Sequence, residues 1–496
     1  MAGATSSSKT LKLYLNTYLN MKNFIYGILL SLIFALPDTI MAQHQDISER
    51  PEIYKANEPL DADSNTVLGA FKGGKVQGHF RYFNMYTNNQ KDLTDYYANA
   101  VGGGLRFETA KFHNFQFAIS GFYTFNIGSS DMTKPDPQTG QLNRYEIGLF
   151  DINNGSNKKD IDRLEEFYIK YNYKKSSVKF GRQLLNTPFI NLQDGRMRPT
   201  GVEGLWTEIN EIKSIRIEGG WLYSISPRST TRWFSIGETM GIYPSGLNPD
   251  GSLSDYAGHI ESRGIALAAV HYRPVKNLKV QAWNMYTENI FNSALLQADL
   301  SVPFKNSSKL LIATQLIRQD VVNEGGNLNQ QHTYFQKGTG SLSFGAKLAL
   351  QNKDWETSLN YNRITSEGRY LIPREWGRDP FFTFLPRERN EGFGDVHAIM
   401  AKIDYKIPAL GFRTSLAAGY YDLPDVKNYK LNKYGMPAYT QINTDFRYTF
   451  AKSLKGLEAQ LLIMAKLRNG ETYSNSKMLI NKVNMWQSNL VLNFHF

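Results

Sequence analysis

The last eleven residues, WQSNLVLNFHF (486–496), alternate between two kinds of side chain. Such strict alternation indicates a β-strand with one apolar face and one wet face. The opposite parity is mostly polar, and the chain ends on the apolar parity. The larger apolar side chains of this strand are Trp486, Leu490, Leu492, Phe494 and Phe496.

The same period-two pattern recurs along the chain. FQFAISGFYTFN (115–126) and LSFGAKLALQ (342–351) again separate apolar from polar residues by parity. Downstream of the N-terminal leader, no apolar run reaches the length of a membrane-spanning helix. We predict eighteen strands near 75–87, 99–110, 114–127, 163–174, 176–184, 202–210, 213–226, 262–273, 277–288, 292–304, 308–319, 339–351, 354–365, 393–406, 410–422, 440–451, 455–468 and 482–496.

The connections between these strands alternate between short and long. The short ones have one to three residues, whereas the long ones lie at 128–162, 185–201, 227–261, 320–338, 366–392, 423–439 and 469–481. The brief link near 289–291 is an exception, since it is short where a long connection is expected. The hairpin assigned there could therefore be a misreading of the pattern. Short periplasmic turns and long outer loops are typical of a transmembrane antiparallel β-barrel in the bacterial outer membrane.

A soluble sandwich or a β-solenoid is the alternative for alternating strands. Neither accounts for two segregated classes of connection, and the fixed repeat of a solenoid is absent from the sequence. Hydrocarbon forbids unpaired backbone groups, so a membrane sheet must close on itself with an apolar outer face. The fold class is therefore predicted to be all-β, an eighteen-stranded transmembrane barrel.

The N-terminus has the form of a secretory leader. Residues 21–42, MKNFIYGILLSLIFALPDTIMA, combine a basic start, an apolar core and a small residue at the end. We interpret 1–42 as a signal peptide with a doubtful upstream extension (1–20), 43–74 as a periplasmic segment and 75–496 as the barrel. The pre-barrel segment is too short for the plug of a TonB-dependent transporter.

Composition excludes several functions. Cysteine is absent, which removes disulfides, thiolate metal sites and cysteine nucleophiles. The net charge of +11 fits anionic surfaces or ligands, and the leader argues against nucleic acid as the partner. The histidines lie outside GxSxG-like and HExxH motifs, so we expect no enzyme, no cofactor and no metal site.

An eighteen-stranded barrel leaves an aqueous channel unless something narrows it. The third and seventh outer loops carry charged residues between turn-forming Gly and Pro, and are the candidate constrictors. The candidate constriction residues are Asp194, Arg196 and Arg198 in the third loop, with Arg374, Glu375, Arg378, Asp379, Arg387 and Arg389 in the seventh. The neighbouring pairs Arg374–Glu375 and Arg378–Asp379 could instead neutralise each other.

Two stretches carry a family resemblance. LGAFKGGKVQGHFRYF (68–83) and FGRQ (180–183) followed by DGRMRPTGVEG (194–204), with the order of loops, resemble the OprD family of substrate-selective outer-membrane porins. The resemblance implies a monomeric barrel narrowed by its third and seventh loops, with arginines along one wall that guide carboxylates. It also implies that small carboxylates, amino acids or short oligosaccharides are the solutes.

Strand parity gives candidates for that wall. Because an arginine in the lipid face near the midplane costs about 2–4 kcal/mol, arginines on the polar parity are expected in the lumen. These are Arg81, Arg106, Arg216, Arg413 and Arg447. Each one taken alone is better explained by a solvated charge without a selective role, whereas the set favours a positive lumen.

We therefore expect a porin for passive, moderately selective diffusion of small hydrophilic solutes. A barrel enzyme and a closed adhesin-type barrel are the alternatives. The expected partners are outer-membrane lipids, lipopolysaccharide, the solutes and the barrel assembly machinery, which would read the C-terminal Trp486, Leu490, Leu492, Phe494 and Phe496. The sequence leaves monomer and trimer open.

Overall fold

The computed structural model describes residues 63–192, 195–304 and 308–496. The predicted signal peptide, most of the predicted periplasmic segment and the candidate Asp194 lie outside these residues. All described residues belong to the unit Met41–Phe496. Within the described ranges, the helices are too short or too polar to cross a membrane.

Eighteen antiparallel strands form one closed barrel. Each strand pairs with the next, and the first pairs with the last, so the sheet has no free edge. The strands are β1 (Lys75–Asn88), β2 (Tyr96–Glu108), β3 (Phe115–Ser129), β4 (Ile161–Tyr173), β5 (Ser176–Gln183), β6 (Gly201–Ile209), β7 (Ile215–Ser226), β8 (Ile265–Val275), β9 (Leu278–Thr287), β10 (Phe291–Pro303), β11 (Lys309–Val321), β12 (Gly340–Gln351), β13 (Trp355–Ile364), β14 (Val396–Ile407), β15 (Phe412–Asp422), β16 (Tyr439–Thr449), β17 (Leu457–Arg468) and β18 (Met485–His495).

Other regular structure is short. The α-helix α1 (Val67–Lys72) precedes the barrel, and the α-helix α2 (Ile236–Thr239) lies in an outer loop. The 3₁₀ turns are Glu146–Leu149, Gln330–His332, Pro408–Leu410, Lys452–Leu454 and Ser476–Met478, and two-residue strands lie at Asp63–Ser64, Lys111–Phe112 and Phe234–Ser235.

The predicted strands are confirmed, with ends that differ by a few residues. The uncertain hairpin is also present: Thr287 and Phe291 are directly paired, and Asn289 makes the turn with a φ of 67°. Asparagine tolerates this left-handed conformation, which explains how so short an outer link can join β9 to β10. The seven connections predicted to be long are long in the structure, and a link of seven residues, 89–95, joins β1 to β2.

The two strand faces differ in environment as the alternation predicts. In β18, the side chains of Trp486, Leu490 and Phe494 point outwards, whereas Gln487 and Asn489 are buried inside. A barrel in hydrocarbon needs an apolar exterior, and its water-facing interior accepts polar groups. The apolar parity that ends the chain therefore belongs to the lipid face.

The barrel closes at the seam between β1 and β18. His79 pairs with His495, and Phe496 continues the pairing by backbone hydrogen bonds with Gly78 in both directions, at 2.8 and 3.1 Å. The Phe496 ring lies over Gly78, where an added Cβ would come within 2.0 Å of the ring. Glycine at this position lets the terminal aromatic ring lie flat against the seam.

The nine outer connections are numbered here in chain order. Those used below are loop 2 (130–160), loop 3 (184–200), loop 4 (227–264), loop 6 (322–339), loop 7 (365–395), loop 8 (423–438) and loop 9 (469–484). A buried apolar cluster joins loops 3, 4 and 7 to the inner barrel wall, and it includes Phe189, Ile236, Phe291, Trp376 and Phe381. Burial of this size fixes the loops within the outer half of the barrel.

The face assignment predicts unequal effects of one substitution at two neighbouring positions in β17. Leu461 is exposed on the outer face, whereas Gln460 borders an internal cavity and donates to Asp445 at 2.8 Å. We expect Leu461→Arg to lower the free energy of unfolding by about 2–4 kcal/mol, because the guanidinium enters lipid near the midplane.

Denaturant unfolding in lipid vesicles measures this difference, with Gln460→Arg as the matched control. The control should cost much less, since its new cation faces Asp445 and water. Equal losses would contradict the assignment of the two faces.

Candidate functional site

Loop 7 runs across the lumen and is held there by side chains of the barrel wall. The donors come from four strands, and the acceptors are loop carbonyl oxygens. The hydrogen bonds are Gln315 to Pro380, Gln319 to Leu371, Tyr421 to Thr383, Gln441 to Pro386 and Lys466 to Arg387, at 2.6–3.0 Å. These bonds satisfy buried backbone oxygens and fix the path of the loop.

Loop 3 packs directly on loop 7. The amide of Asn191 accepts from the backbone N–H of Arg378 and donates to its carbonyl oxygen, both at 3.0 Å. The Thr200 hydroxyl donates to the carbonyl oxygen of Glu375 at 3.0 Å. Gly377, at a φ of 155°, leaves room for Asn191, since a Cβ there would lie 2.5 Å from the amide oxygen. The two loops therefore form one layer across the channel.

Basic side chains from six loops and one strand gather around this layer, and we call them the basic cluster. They are Arg144 (loop 2), Arg196 (loop 3), Arg228 (loop 4), Arg369, Arg374, Arg387 and Arg389 (loop 7), Lys433 (loop 8), Lys482 (loop 9) and Lys466 (β17). Their carboxylate neighbours are Glu146, Glu375, Asp379, Glu388 and Glu391. Among the described residues, cations thus outnumber carboxylates two to one here.

Glu391 is the main carboxylate partner within the cluster. Its oxygens lie 3.2 Å from Nε of Arg374 and 3.9 Å from Nζ of Lys433. The Tyr434 hydroxyl also donates to Glu391, at 2.9 Å. The Arg374 guanidinium lies 3.8 Å from the centre of the Tyr434 ring, a cation–π contact. One carboxylate therefore balances two cations.

The neighbour pairs considered from the sequence are not formed. Glu375 accepts from the backbone N–H of Tyr243 at 2.8 Å, while Arg374 turns to Glu391. Asp379 accepts from the backbone N–H of Asn390 at 2.7 Å and faces Arg389. Arg374 and Glu375 lie in a turn that the backbone N–H of Trp376 closes on the carbonyl oxygen of Pro373, and their side chains leave it towards different partners.

Burial shifts the titration of the loop residues. It lowers the pKa of Arg196 and of Arg228 to about 9 and that of Lys433 to about 8. Burial also lowers the pKa of Lys482 to about 7, with repulsion from Arg144 and Arg374 acting in the same direction. The pKa of Glu375 is raised, mainly by burial. Charge in the cluster therefore depends on pH near neutrality.

The candidates in loop 3 occupy different places. Arg196 lies in the basic cluster, and its carbonyl oxygen accepts from Nη1 of Arg81 at 2.7 Å. Arg198 is buried away from the cluster, with Arg163 and Glu165 of β4 as its nearest charges. In loop 7, Arg378 lies over the Phe384 ring at 5.2 Å and borders a cavity below the loop.

Two cavities occupy the lumen on the periplasmic side of the loop layer. One, of about 430 Å³, is lined by Arg387, Arg413 and Arg447 among others. The other, of about 520 Å³, is lined by residues that include Arg216 and Lys179. Gln297 borders both cavities, beneath loops 3 and 7.

All five candidate wall arginines lie on the lumen side, yet they do not form one row. Arg413 and Arg447 are directly paired across β15 and β16, whereas Arg216 lies in the other cavity. Several have carboxylate partners: Arg106 with Glu108 and Glu166, Arg216 with Glu218, and Arg447 with Asp445, at 2.8–3.1 Å. Within the described chain, Arg413 has no carboxylate at ion-pair distance.

Six of the ten residues in the basic cluster were not among the sequence candidates: Arg369 of loop 7 itself and five residues from elsewhere in the chain. Arg144, Arg228, Lys433, Lys466 and Lys482 come from separate loops and a strand, and they converge only when the barrel closes. One local signal was present, since Arg144 and Lys433 each precede a tyrosine that lines the same region, Tyr145 and Tyr434. A basic residue beside an aromatic one in an outer loop is a weak pattern by itself.

Comparison with known proteins supports the fold. Residues 136–372 match the model of the outer membrane porin, OprD family. The crystal structure of Pseudomonas aeruginosa OpdK with vanillate is similar at a TM-score of 0.66 and 13% identity, covering 86% of this chain and 100% of that chain. The crystal structure of Acinetobacter baumannii OccAB3 is similar at a TM-score of 0.65 and 15% identity, covering 85% of this chain and 99% of that chain. The crystal structure of P. aeruginosa OccK9 (OpdG) is similar at a TM-score of 0.66 and 14% identity, covering 86% of this chain and 99% of that chain. No curated protein matches the chain.

A closed eighteen-stranded barrel with an apolar exterior and loops folded into its lumen defines an outer-membrane β-barrel protein of a Gram-negative bacterium. The family match is more specific. Nearly half of the chain, residues 136–372, matches the OprD family of outer-membrane porins, so the resemblance predicted from the sequence is confirmed.

The low pKa of Lys482 predicts pH-dependent ion selectivity. As pH rises from 6 to 8.5, Lys482 passes its pKa of about 7 and loses its charge beside Arg144 and Arg374. We expect selectivity for anions to fall over this range, because the cluster loses positive charge. Reversal potentials of the channel under a salt gradient measure the change.

Lys482→Gln should reduce this pH step, and exposed Lys477 in the same loop supplies the control variant Lys477→Gln. Lys433, with a pKa of about 8, also loses charge over this range, so the difference between wild type and variant isolates the contribution of Lys482. An unchanged step in Lys482→Gln would exclude Lys482 as the titrating group.

Proposed function

We propose that the protein is a passive outer-membrane channel that favours small hydrophilic solutes with a carboxylate group. The observation that carries the proposal is the basic cluster around the layer of loops 3 and 7. Rings of fixed positive charge at a constriction favour anions over cations. Transport would follow the solute gradient, without covalent chemistry or a cofactor.

The cluster has groups suited to a passing carboxylate. Arg374 and Lys433 share one carboxylate, Glu391, which cannot accept from all of their N–H groups. The remaining N–H groups can donate hydrogen bonds to the carboxylate of a solute. A guanidinium binds carboxylates through two parallel N–H groups. Because Glu391 competes for the same cations, binding stays weak enough for the solute to leave, which conduction requires.

The cavity below the loop layer favours release. Its cations alternate with carboxylates: Lys402 lies 2.9 Å from Asp404, and Arg447 lies 3.1 Å from Asp445. These pairs weaken the positive field, while unpaired Arg413 keeps the path attractive to anions. A solute would therefore move from a strongly basic layer into a more balanced cavity.

Aromatic residues at the cluster suggest which carboxylates fit. Tyr145, Tyr434 and Tyr439 border the same cations, and Lys466 lies 5.0 Å from the centre of the Tyr439 ring. Vanillate, present in the OpdK structure, is an aromatic carboxylate. We propose aromatic and other small carboxylates first, with amino acids and short oligosaccharides as poorer solutes.

The other predicted partners follow from the outer surface. Exposed aromatic residues such as Trp486 and Phe494 would contact outer-membrane lipids and lipopolysaccharide. The same strand, ending in Phe496 at the barrel seam, is the proposed signal for the barrel assembly machinery. A closed adhesin and a barrel enzyme are the competing functions, and conductance separates the adhesin from a channel.

Single-channel recording in a planar bilayer tests the proposal. We expect discrete conductance steps and an anion-selective reversal potential under a salt gradient. Arg144→Gln should shift that potential towards zero, because it removes one cation from the cluster. The matched control is Arg263→Gln, which removes an exposed arginine from loop 4 that pairs with Glu288 outside the cluster.

Liposome swelling with vanillate, an uncharged amino acid or a disaccharide then compares solutes. Faster swelling with vanillate supports the preference for carboxylates. Equal rates would defeat that preference while leaving a channel. Barrels that insert without conducting would defeat the channel itself.

A further inference from the structure

Three potential metal ligands meet on the outer loops. Asp255 and His259 belong to one turn of loop 4, and His332 belongs to loop 6. One ligand atom from each side chain lies within 4.8 Å of the others. The three residues are partly or fully exposed, so ions in the medium can reach them.

The backbone carbonyl oxygen of Asp255 holds the two rings side by side. It lies 2.9 Å from Nδ1 of His259 and 3.0 Å from Nδ1 of His332, within hydrogen-bond distance of both. Nδ1 of His332 also lies 3.2 Å from the Asp255 carboxylate. Ligands bonded at about 2.0–2.2 Å to one zinc ion are roughly 3.0–3.4 Å apart.

The two imidazole rings are held in a fixed arrangement. They stack with centroids 4.1 Å apart and planes inclined by 27°. A neutral imidazole binds a metal ion through the ring nitrogen that carries no proton. A divalent cation held there would balance the charge of the Asp255 carboxylate.

The loops that carry the ligands are already joined. The Asn327 amide donates to the carbonyl oxygen of His259 at 2.7 Å, and the backbone N–H of Glu261 donates to Gly326 at 3.0 Å. The backbone N–H of His259 donates to Tyr256 at 3.0 Å and closes the turn. Little ordering entropy is therefore lost when an ion binds.

We propose that Asp255, His259 and His332 form a binding site for a divalent transition cation, with Zn²⁺ the best match. Two imidazole nitrogens and one carboxylate oxygen are a donor set that suits zinc, and water would complete the coordination. The bound ion would tie loop 4 to loop 6 at the outer mouth of the barrel. The site is independent of the solutes that cross the channel.

Zinc binding to the folded, tag-free protein tests the site. Equilibrium dialysis in detergent should give one tightly bound Zn²⁺ per chain, which excess Mg²⁺ or Ca²⁺ does not displace, because those ions prefer oxygen ligands. His259→Ala and His332→Ala should each weaken binding at least about tenfold. His113→Ala, at an exposed residue of a periplasmic turn, should bind as the wild type does.

Cobalt(II) absorption gives a second readout, since its visible bands depend on the coordinating nitrogens. Both histidine variants should lose the wild-type spectrum while their heat-dependent gel migration still reports a folded barrel. The proposal is overturned if the double variant His259→Ala/His332→Ala binds zinc as tightly as the wild type. Loss of binding in one single variant alone would overturn the three-ligand arrangement.

Discussion

Closure of the sheet is the constraint on which the other features depend. In hydrocarbon every backbone N–H and C=O must find a partner, so β1 and β18 must pair for either strand to be stable. His79 of β1 pairs with His495 of β18, and the backbone hydrogen bonds between Gly78 and Phe496 complete this seam. Closure then fixes the alternation of faces, since one side of each strand meets lipid and the other meets the lumen.

An enclosed lumen of this width has to be narrowed by protein, and the loops do so with buried polar groups. Such groups are tolerated when each finds a partner. Here wall side chains satisfy the carbonyl oxygens of loop 7, and Glu391 is shared by Arg374 and Lys433. Among the described residues, the cations of the basic cluster outnumber the carboxylates, and an anion preference would depend on this excess.

The sequence was sufficient for the barrel and insufficient for the cluster. Strands such as WQSNLVLNFHF follow a local rule, because lipid and water act on alternate residues of the same segment. The partners of Arg374 and Arg198 follow no local rule. Arg374 pairs with Glu391, whereas Arg198 lies against β4. Lys482 and Arg144 are more than three hundred residues apart and meet only through closure, so a linear pattern does not reveal them.

The hydrogen bonds that hold loop 7 make the width of the constriction independent of its charge. Its backbone is held at the wall by side-chain donors that bond to loop carbonyl oxygens, namely Gln315, Gln319, Tyr421 and Gln441. These hydrogen bonds do not depend on which side chains the loop carries. The aperture is thus set by the barrel, while the charge is set by residues such as Arg389. Under the proposed function, substitutions in the loop would change solute preference at nearly constant pore width, and the scaffold would suit the engineering of new permeabilities.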